Sequence, residues 1–210
     1  MRIVGITLVR DEADIVATTI AYHLALGCDH VLVIDNGSTD GTVPVLRELA
    51  ASTGRVSWSV DAGPYRQSEL LTGLADAAAG TGADWVVPFD ADEFWWAPRA
   101  RLAEVLAGAT GGALVAPVRN FVQRREQRSF RPEALLTMTR RVTVPVGPAA
   151  RCAVLVASGT IGFVEMEYPP KLVLRPAGGV VIHEGSHAAR GVAGSTDATR
   201  DLVCLRPATR

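Results

Sequence analysis

The run Trp85-Val86-Val87-Pro88-Phe89 constrains this chain more than any other stretch, because it is apolar throughout and ends abruptly in Asp90-Ala91-Asp92-Glu93. An apolar, β-branched run of that length reads as a strand buried on both faces, the habit of parallel sheets. Alternate side chains of an extended backbone share a face, so Asp90 and Asp92 can converge just past the strand. That is where an open parallel sheet forms its ligand crevice. Two carboxylates held so close repel unless a cation lies between them, and hard oxygen donors of this kind suit Mg²⁺ or Mn²⁺. The plainer alternative is an acidic turn, where Asp is common in any protein.

The N-terminal third supplies the sheet that such a strand needs. Residues 2–9 are an apolar strand, 12–26 an amphipathic helix and 30–35 a second strand, together a βαβ unit of right-handed crossover length. The second strand ends in Asp35 and the turn-forming Asn36-Gly37-Ser38, after which Asp40 or Thr42 is placed to cap a helix reaching Ala51. A strand at Val56–Val60, a helix at Gln67–Ala79, the strand at Trp85–Phe89, a short helix at Ala100–Leu106 and a strand at Ala113–Asn120 continue the alternation. This spacing predicts an α/β sandwich around a mainly parallel sheet.

The segments Arg10-Asp11-Glu12-Ala13-Asp14, Asp35-Asn36-Gly37-Ser38-Thr39-Asp40-Gly41-Thr42 and Asp90-Ala91-Asp92-Glu93-Phe94 resemble, in order and separation, the nucleotide-sugar-binding part of family-2-like glycosyltransferases. The resemblance covers residues 1–120 and implies the GT-A fold, a Rossmann-like αβα sandwich. One departure is Asp11, where that family usually carries Asn; it adds a negative charge near the donor site. The resemblance implies a metal-dependent transfer from a nucleotide-diphosphate sugar, with a UDP-linked donor as first choice, to an unidentified acceptor. Asp92 is then the first choice for direct coordination of Mn²⁺ or Mg²⁺, with Asp90 on the metal through water or on the ribose. Asp35 is expected to accept a hydrogen bond from uracil or ribose. Glu12 and the backbone of Leu8, Val9 and Arg10 are expected to line the base pocket, and Arg66 to neutralise pyrophosphate. His183, in Lys171…Arg175-Pro176…His183, is expected to complete the metal shell. Glu165, Glu167 and Glu184 are the candidates for a base, with no ground for choosing among them.

The rest of the chain bounds this reading. With 210 residues, 48% of them apolar, there is material for one sizeable core. The expectation is a single domain whose residues 121–210 supply the acceptor side and complete the metal site. So lean an acceptor side suggests a small acceptor, or a homo-oligomer or partner that completes it. A net charge of −1 argues against nucleic-acid binding. No apolar run reaches the ~18–20 residues that span a bilayer. Cys28, Cys152 and Cys204 are odd in number and widely spaced, which fits a reducing cytoplasm. Lys171 is the one lysine against twenty arginines, a bias that reads as codon usage. Arg124, Arg125, Arg128, Arg131, Arg140 and Arg141 crowd one segment, either a solvated loop or a lid that meets phosphate. Phe94-Trp95-Trp96 either stacks on a sugar ring or packs in the core. Residues 171–176 and 180–183 read as a strand pair, and 188–210 as mixed sequence, loose towards its end.

Three rival readings remain. His183-Glu184-Gly185-Ser186-His187 satisfies the zinc-protease pattern H-E-x-x-H, but Gly185-Ser186 disfavours the helix that chemistry needs. A nucleotidyltransferase, a sugar-nucleotide hydrolase or an inactive nucleotide-binding module could use the same α/β crevice.

Overall fold

The computed structural model describes residues 1–122 and 138–208. Most of the arginine-rich segment therefore lies outside the described residues. The N-terminal part alternates strictly: β1 (Ile3–Val9), α1 (Val16–Leu26), β2 (His30–Asp35), α2 (Thr42–Thr53), β3 (Val56–Val60), α3 (Gln67–Gly80) and β4 (Trp85–Pro88). Then come β5 (Phe94–Trp96), α4 (Leu102–Ala107), β6 (Ala113–Ala116), β7 (Val118–Val122), β8 (Arg140–Arg141), β9 (Gly147–Pro148) and α5 (Ala149–Ala157). The C-terminal part adds β10 (Met166–Glu167), β11 (Lys171–Leu174), β12 (Val181–Ile182), β13 (Ala189–Arg190), β14 (Thr196–Ala198) and β15 (Val203–Ala208).

Seven strands form the central sheet in the order β14-β6-β11-β4-β1-β2-β3. All run the same way except β11, which is antiparallel to both β4 and β6. The mainly parallel α/β sandwich expected from the sequence is thus the observed fold. Helix α3 covers one face because Leu70, Leu71, Leu74, Ala75 and Ala78 fall on one helical stripe. It packs on Val4, Ile6 and Val86 of the sheet, each fully buried aliphatic contributing about 1.5–3 kcal/mol. Ile20 and Leu24 of α1, Leu46 of α2 and Leu102 and Leu106 of α4 build the core on the other face.

Several local expectations are corrected. Helix α1 begins four residues later than the pattern suggests, because the Glu12 carbonyl closes a turn on the amides of Ile15 (3.1 Å) and Val16 (2.9 Å). The strand expected over 113–120 breaks at Pro117, which cannot donate to a ladder; β6 stays in the main sheet and β7 enters a second one. The segments around 171–176 and 180–183 do not pair with each other. Leu172, Val173 and Leu174 are buried on both faces and take β11 into the sheet interior, while β12 pairs with β13. Up to residue 208 the C-terminal segment is strand-bearing, and 209–210 lie outside the described residues. β15 lies between β5 and β7 in a four-stranded sheet of order β5-β15-β7-β8, with Leu202 and Cys204 buried.

Candidate active site

The C-terminal ends of β1 and β4, with the start of α3, enclose a crevice of about 220 Å³ lined by Leu8, Arg10, Glu12, Tyr65, Gln67, Asp90 and Asp92 among others. This is the edge where an open parallel sheet holds ligands. The two motif aspartates do arrive there together.

Each of them meets a cation of the protein itself. Because β11 runs against its neighbours, its first residue, Lys171, lies at the crevice edge of the sheet. Its ammonium, 2% exposed, stands 2.9 Å from Asp90 Oδ2 and 2.7 Å from Glu93 Oε2. Burial favours the neutral amine, but Glu93 and Asp90 outweigh it and raise the Lys171 pKa, so the ammonium stays charged. Burial, reinforced by Asp90, pushes Glu93 up to about 7, against the pull of Lys171. Glu93 also accepts the Asp90 amide at 3.1 Å, tying the turn to its own support. On the other side Gln67 Nε2 reaches Asp90 Oδ1 at 3.4 Å while Gln67 Oε1 accepts the Gly185 amide at 2.9 Å. Asp92 faces Arg206 Nε at 3.8 Å, a loose pair, and the Arg206 guanidinium lies 4.7 Å over the Tyr168 ring. Desolvation raises the Asp92 pKa despite Arg206.

Asp90 and Asp92 fit a hard divalent cation by donor chemistry, Asp92 being the less firmly engaged of the two. The expected third ligand does not join them. His183 is exposed at the start of a 3-10 turn, and among the described residues no three His, Cys, Asp or Glu side chains converge as a metal cluster. The same turn disposes of the zinc-protease pattern, since Gly185 sits at φ 69° and His183 and His187 share no helical face.

Other expected residues fall into two groups. Arg10 and Glu12 line the crevice. Val9 is buried, and its carbonyl accepts the Asn36 amide at 2.8 Å. Asp35 is also buried: Oδ1 takes the amides of Gly37 (3.1 Å) and Ser38 (2.9 Å), while Oδ2 has no partner among the described residues. Asp11, at φ 54°, accepts the Thr39 amide at 2.7 Å, so its charge organises the 36–40 loop. Arg66 is spent on Glu69 (2.9 Å) and Asp61 (3.6 Å) and does not line the crevice, which corrects its assignment to pyrophosphate. Glu165 Oε2 accepts the Gly162 amide of its own turn at 2.8 Å, leaving it a structural cap. Glu167 and Glu184 are exposed. Of the aromatic cluster, Phe94 and Trp95 are core and Trp96 is exposed.

Glu167 lines a second and larger crevice of about 810 Å³, together with Arg119, Tyr168, Pro170 and Arg200. The stacked pair Arg206–Tyr168 connects it to Asp92.

Sequence reasoning gave no site role to Arg206, Gln67 or Tyr65, and none to Lys171, whose one signal was to be a single lysine where twenty arginines serve elsewhere.

Comparison with solved structures places this geometry among known folds. The mannosyltransferase PcManGT from Pyrobaculum calidifontis, solved with GDP-Man and Mn²⁺, is 19% identical, with 98% of this chain and 56% of that one covered at a TM-score of 0.58. TarS of S. aureus in complex with UDP is 16% identical over 57% of this chain and 36% of that one, TM-score 0.45. A mycobacterial protein is 18% identical over 98% and 65%, TM-score 0.44. The chain thus spans between 36% and 65% of the length of these structures. None of the curated proteins compared matches it. The family model for glycosyl transferase family 2 matches residues 6–148, a span that begins within β1, contains β2 to β4 and both motif aspartates, and the chain belongs to that family.

Proposed function

We propose that the protein transfers a sugar from a nucleoside-diphosphate sugar, UDP-linked as first choice, to an acceptor hydroxyl, with Mn²⁺ or Mg²⁺ held by Asp92 and, less directly, Asp90. The observation that carries this reading is the pair of carboxylates at the end of β4, facing Arg10 and Glu12 across the crevice. The PcManGT complex, whose fold this chain shares, holds a sugar nucleotide and Mn²⁺. A divalent cation held there would act as a Lewis acid on the departing diphosphate.

The protein's own groups divide the remaining work. Arg10 meets phosphate charge, and Asp35 Oδ2 is left to accept a hydrogen bond from base or ribose. Lys171 and Gln67 keep Asp90 fixed. Residues 121–210 supply the acceptor side through the larger crevice, whose Tyr168 carries the Arg206 that pairs with Asp92.

The test is calorimetric titration of UDP with and without Mn²⁺. Wild type is expected to bind in a Mn²⁺-dependent way, with a rise in melting temperature that follows from binding to the native state alone. Asp92→Asn should lose most of the Mn²⁺-dependent part and keep its apo melting temperature. Unchanged Mn²⁺-dependent affinity in Asp92→Asn overturns the assignment, and preference for GDP over UDP overturns the choice of base.

A further inference from the structure

The larger crevice carries cations that the donor chemistry does not use, and we infer that it takes an acidic acceptor: an apolar body with a carboxylate or phosphate group, held by Arg119 and Arg200. Binding of such an acid stands on the crevice alone; its role as acceptor rests on the transfer reading above.

The break at Pro117 brings the two arginines to one place. There β7 leaves the main sheet and pairs with β15, which sets Arg119 opposite Leu205. β14 stays beside β6, with Ala198 opposite Val115, and the Thr199 amide donates to the Val115 carbonyl at 2.9 Å. Arg200 follows directly at the same edge, and both arginines line the crevice. Neither makes an ion pair among the described residues. Arg119 reaches the carbonyl of Val118 at 3.4 Å, a weak bond. Arg55, Arg66, Arg175 and Arg206, by contrast, are each engaged with a protein carbonyl, carboxylate or ring.

A third cation borders these two. Arg206 is the strand partner of Asn120 and covers the ring of Tyr168, both of them wall residues. One carboxylate, Glu167, belongs to the same wall. It is exposed, lies on β10 opposite Pro148 of β9, and pairs with neither arginine. The wall therefore carries more positive charge than negative.

On an open surface an exposed guanidinium gains little from an anion. In a concave, partly apolar wall its field is less screened, and its planar fork matches the paired oxygens of a carboxylate or phosphate. Val115, Pro117, Val118, Val142, Met166 and Val203 supply the apolar part of that wall. A volume of about 810 Å³ suits a small molecule. Asn120 makes a separate demand. Its Nδ2 donates to the carbonyls of Val164 (3.0 Å) and Met166 (3.3 Å), which fixes the amide orientation, and its buried Oδ1 has no partner among the described residues. The wall thus has cations for an acidic end and one unmet acceptor for a hydrogen. A neutral acceptor would give the two guanidinium groups no counter-charge.

The test is calorimetric titration of the protein, without nucleotide, with three matched probes: p-(hydroxymethyl)benzoate, p-(hydroxymethyl)phenyl phosphate and the neutral p-(hydroxymethyl)benzamide. At least one acid is expected to bind about 10–100-fold more tightly than the amide, as charge-assisted hydrogen bonds to the guanidinium groups require. Whichever acid binds more tightly assigns the site to carboxylate or to phosphate. Arg119→Gln and Arg200→Gln should each reduce the acid-to-amide ratio, and the double variant should bring it close to one. Both side chains are exposed, so the variants should keep the wild-type melting temperature. Acids that bind no more tightly than the amide overturn the inference, as does an acid preference that survives in the double variant. The transfer reading fails separately, if Asp92→Asn keeps its Mn²⁺-dependent UDP affinity; that result leaves the acid titration untouched, because no nucleotide is present in it.

Discussion

The two halves of the molecule supply the candidate site in different ways. Through β4, each side chain at the crevice follows the end of a parallel strand or stands at the start of a helix, within a few residues of a recognisable motif. Beyond β4, Lys171 and Arg206 reach the same place from an antiparallel strand and from a strand of a second sheet. The first half provides the negative charge of Asp90, Asp92 and Glu93; the second provides the cations that make it tolerable. Donor-side geometry is thus a local property of the fold, whereas its electrostatic balance is a long-range one.

The strongest way to break this division is to remove the buried ammonium. Lys171→Met should cost about 3–5 kcal/mol in urea unfolding at pH 7, because it strands Asp90 and Glu93 without a counter-ion. Adding Glu93→Gln should return part of that loss. A single variant as stable as wild type would show that solvent, not Lys171, compensates the carboxylates.

A second test separates, by pH, a core group from one that depends on the second half for its counter-charge. His23, buried in α1 and stacked on Phe89 at 3.8 Å, has its pKa lowered by desolvation from 6.5 to about 4. The unfolded chain takes up that proton first, so the stability His23 provides is complete above 6.5 and is lost as pH falls through 4. The loss is about 3 kcal/mol. Glu93 acts with the opposite sign. Its folded pKa, about 7 against 4.5, gives stability that is complete below 4.5 and lost as pH rises through 7. In melting curves from pH 4 to 8, His23→Gln should flatten the acid limb and Glu93→Gln the neutral one. If both variants keep the wild-type profile, these two groups do not set it.

The smallest effect sharpens the comparison. Arg66→Ala should change stability by no more than about 0.5 kcal/mol, since its ion pairs are exposed, and should leave UDP affinity unaltered, whereas Arg10→Ala should weaken it. Equal losses in the two variants would return Arg66 to the phosphate site.

What could be read from the sequence follows the same division. Apolar strand patterns and turn chemistry are local, so β1, β2, β4 and the Asp90–Asp92 pair were visible, as was the helix stripe of α3. Lys171 is 81 residues from Asp90, and no periodicity announces that contact; against an arginine-rich composition it passed for codon usage. Its placement depends on β11 running backwards between β4 and β6, a register set by burial on both faces. Arg66 misled for the converse reason: its position after β3 was right for phosphate, but Asp61 and Glu69 stand closer. His183 ended a strand as expected, yet the turn that follows, with Gly185 at φ 69°, leaves its side chain exposed.

The position of β15 bears on how such a chain is made. Synthesis proceeds from the N-terminus, and domains fold in that order as they emerge. Asp92 therefore leaves the ribosome well before Arg206, a delay on the order of ten seconds at ~5–20 residues per second. Until Lys171 and then Arg206 arrive, Asp90, Glu93 and Asp92 lack the ion pairs that balance them in the folded protein. The charge balance of the crevice is therefore set late in synthesis, by the strand that carries Arg206 and not by the one that ends in the aspartates.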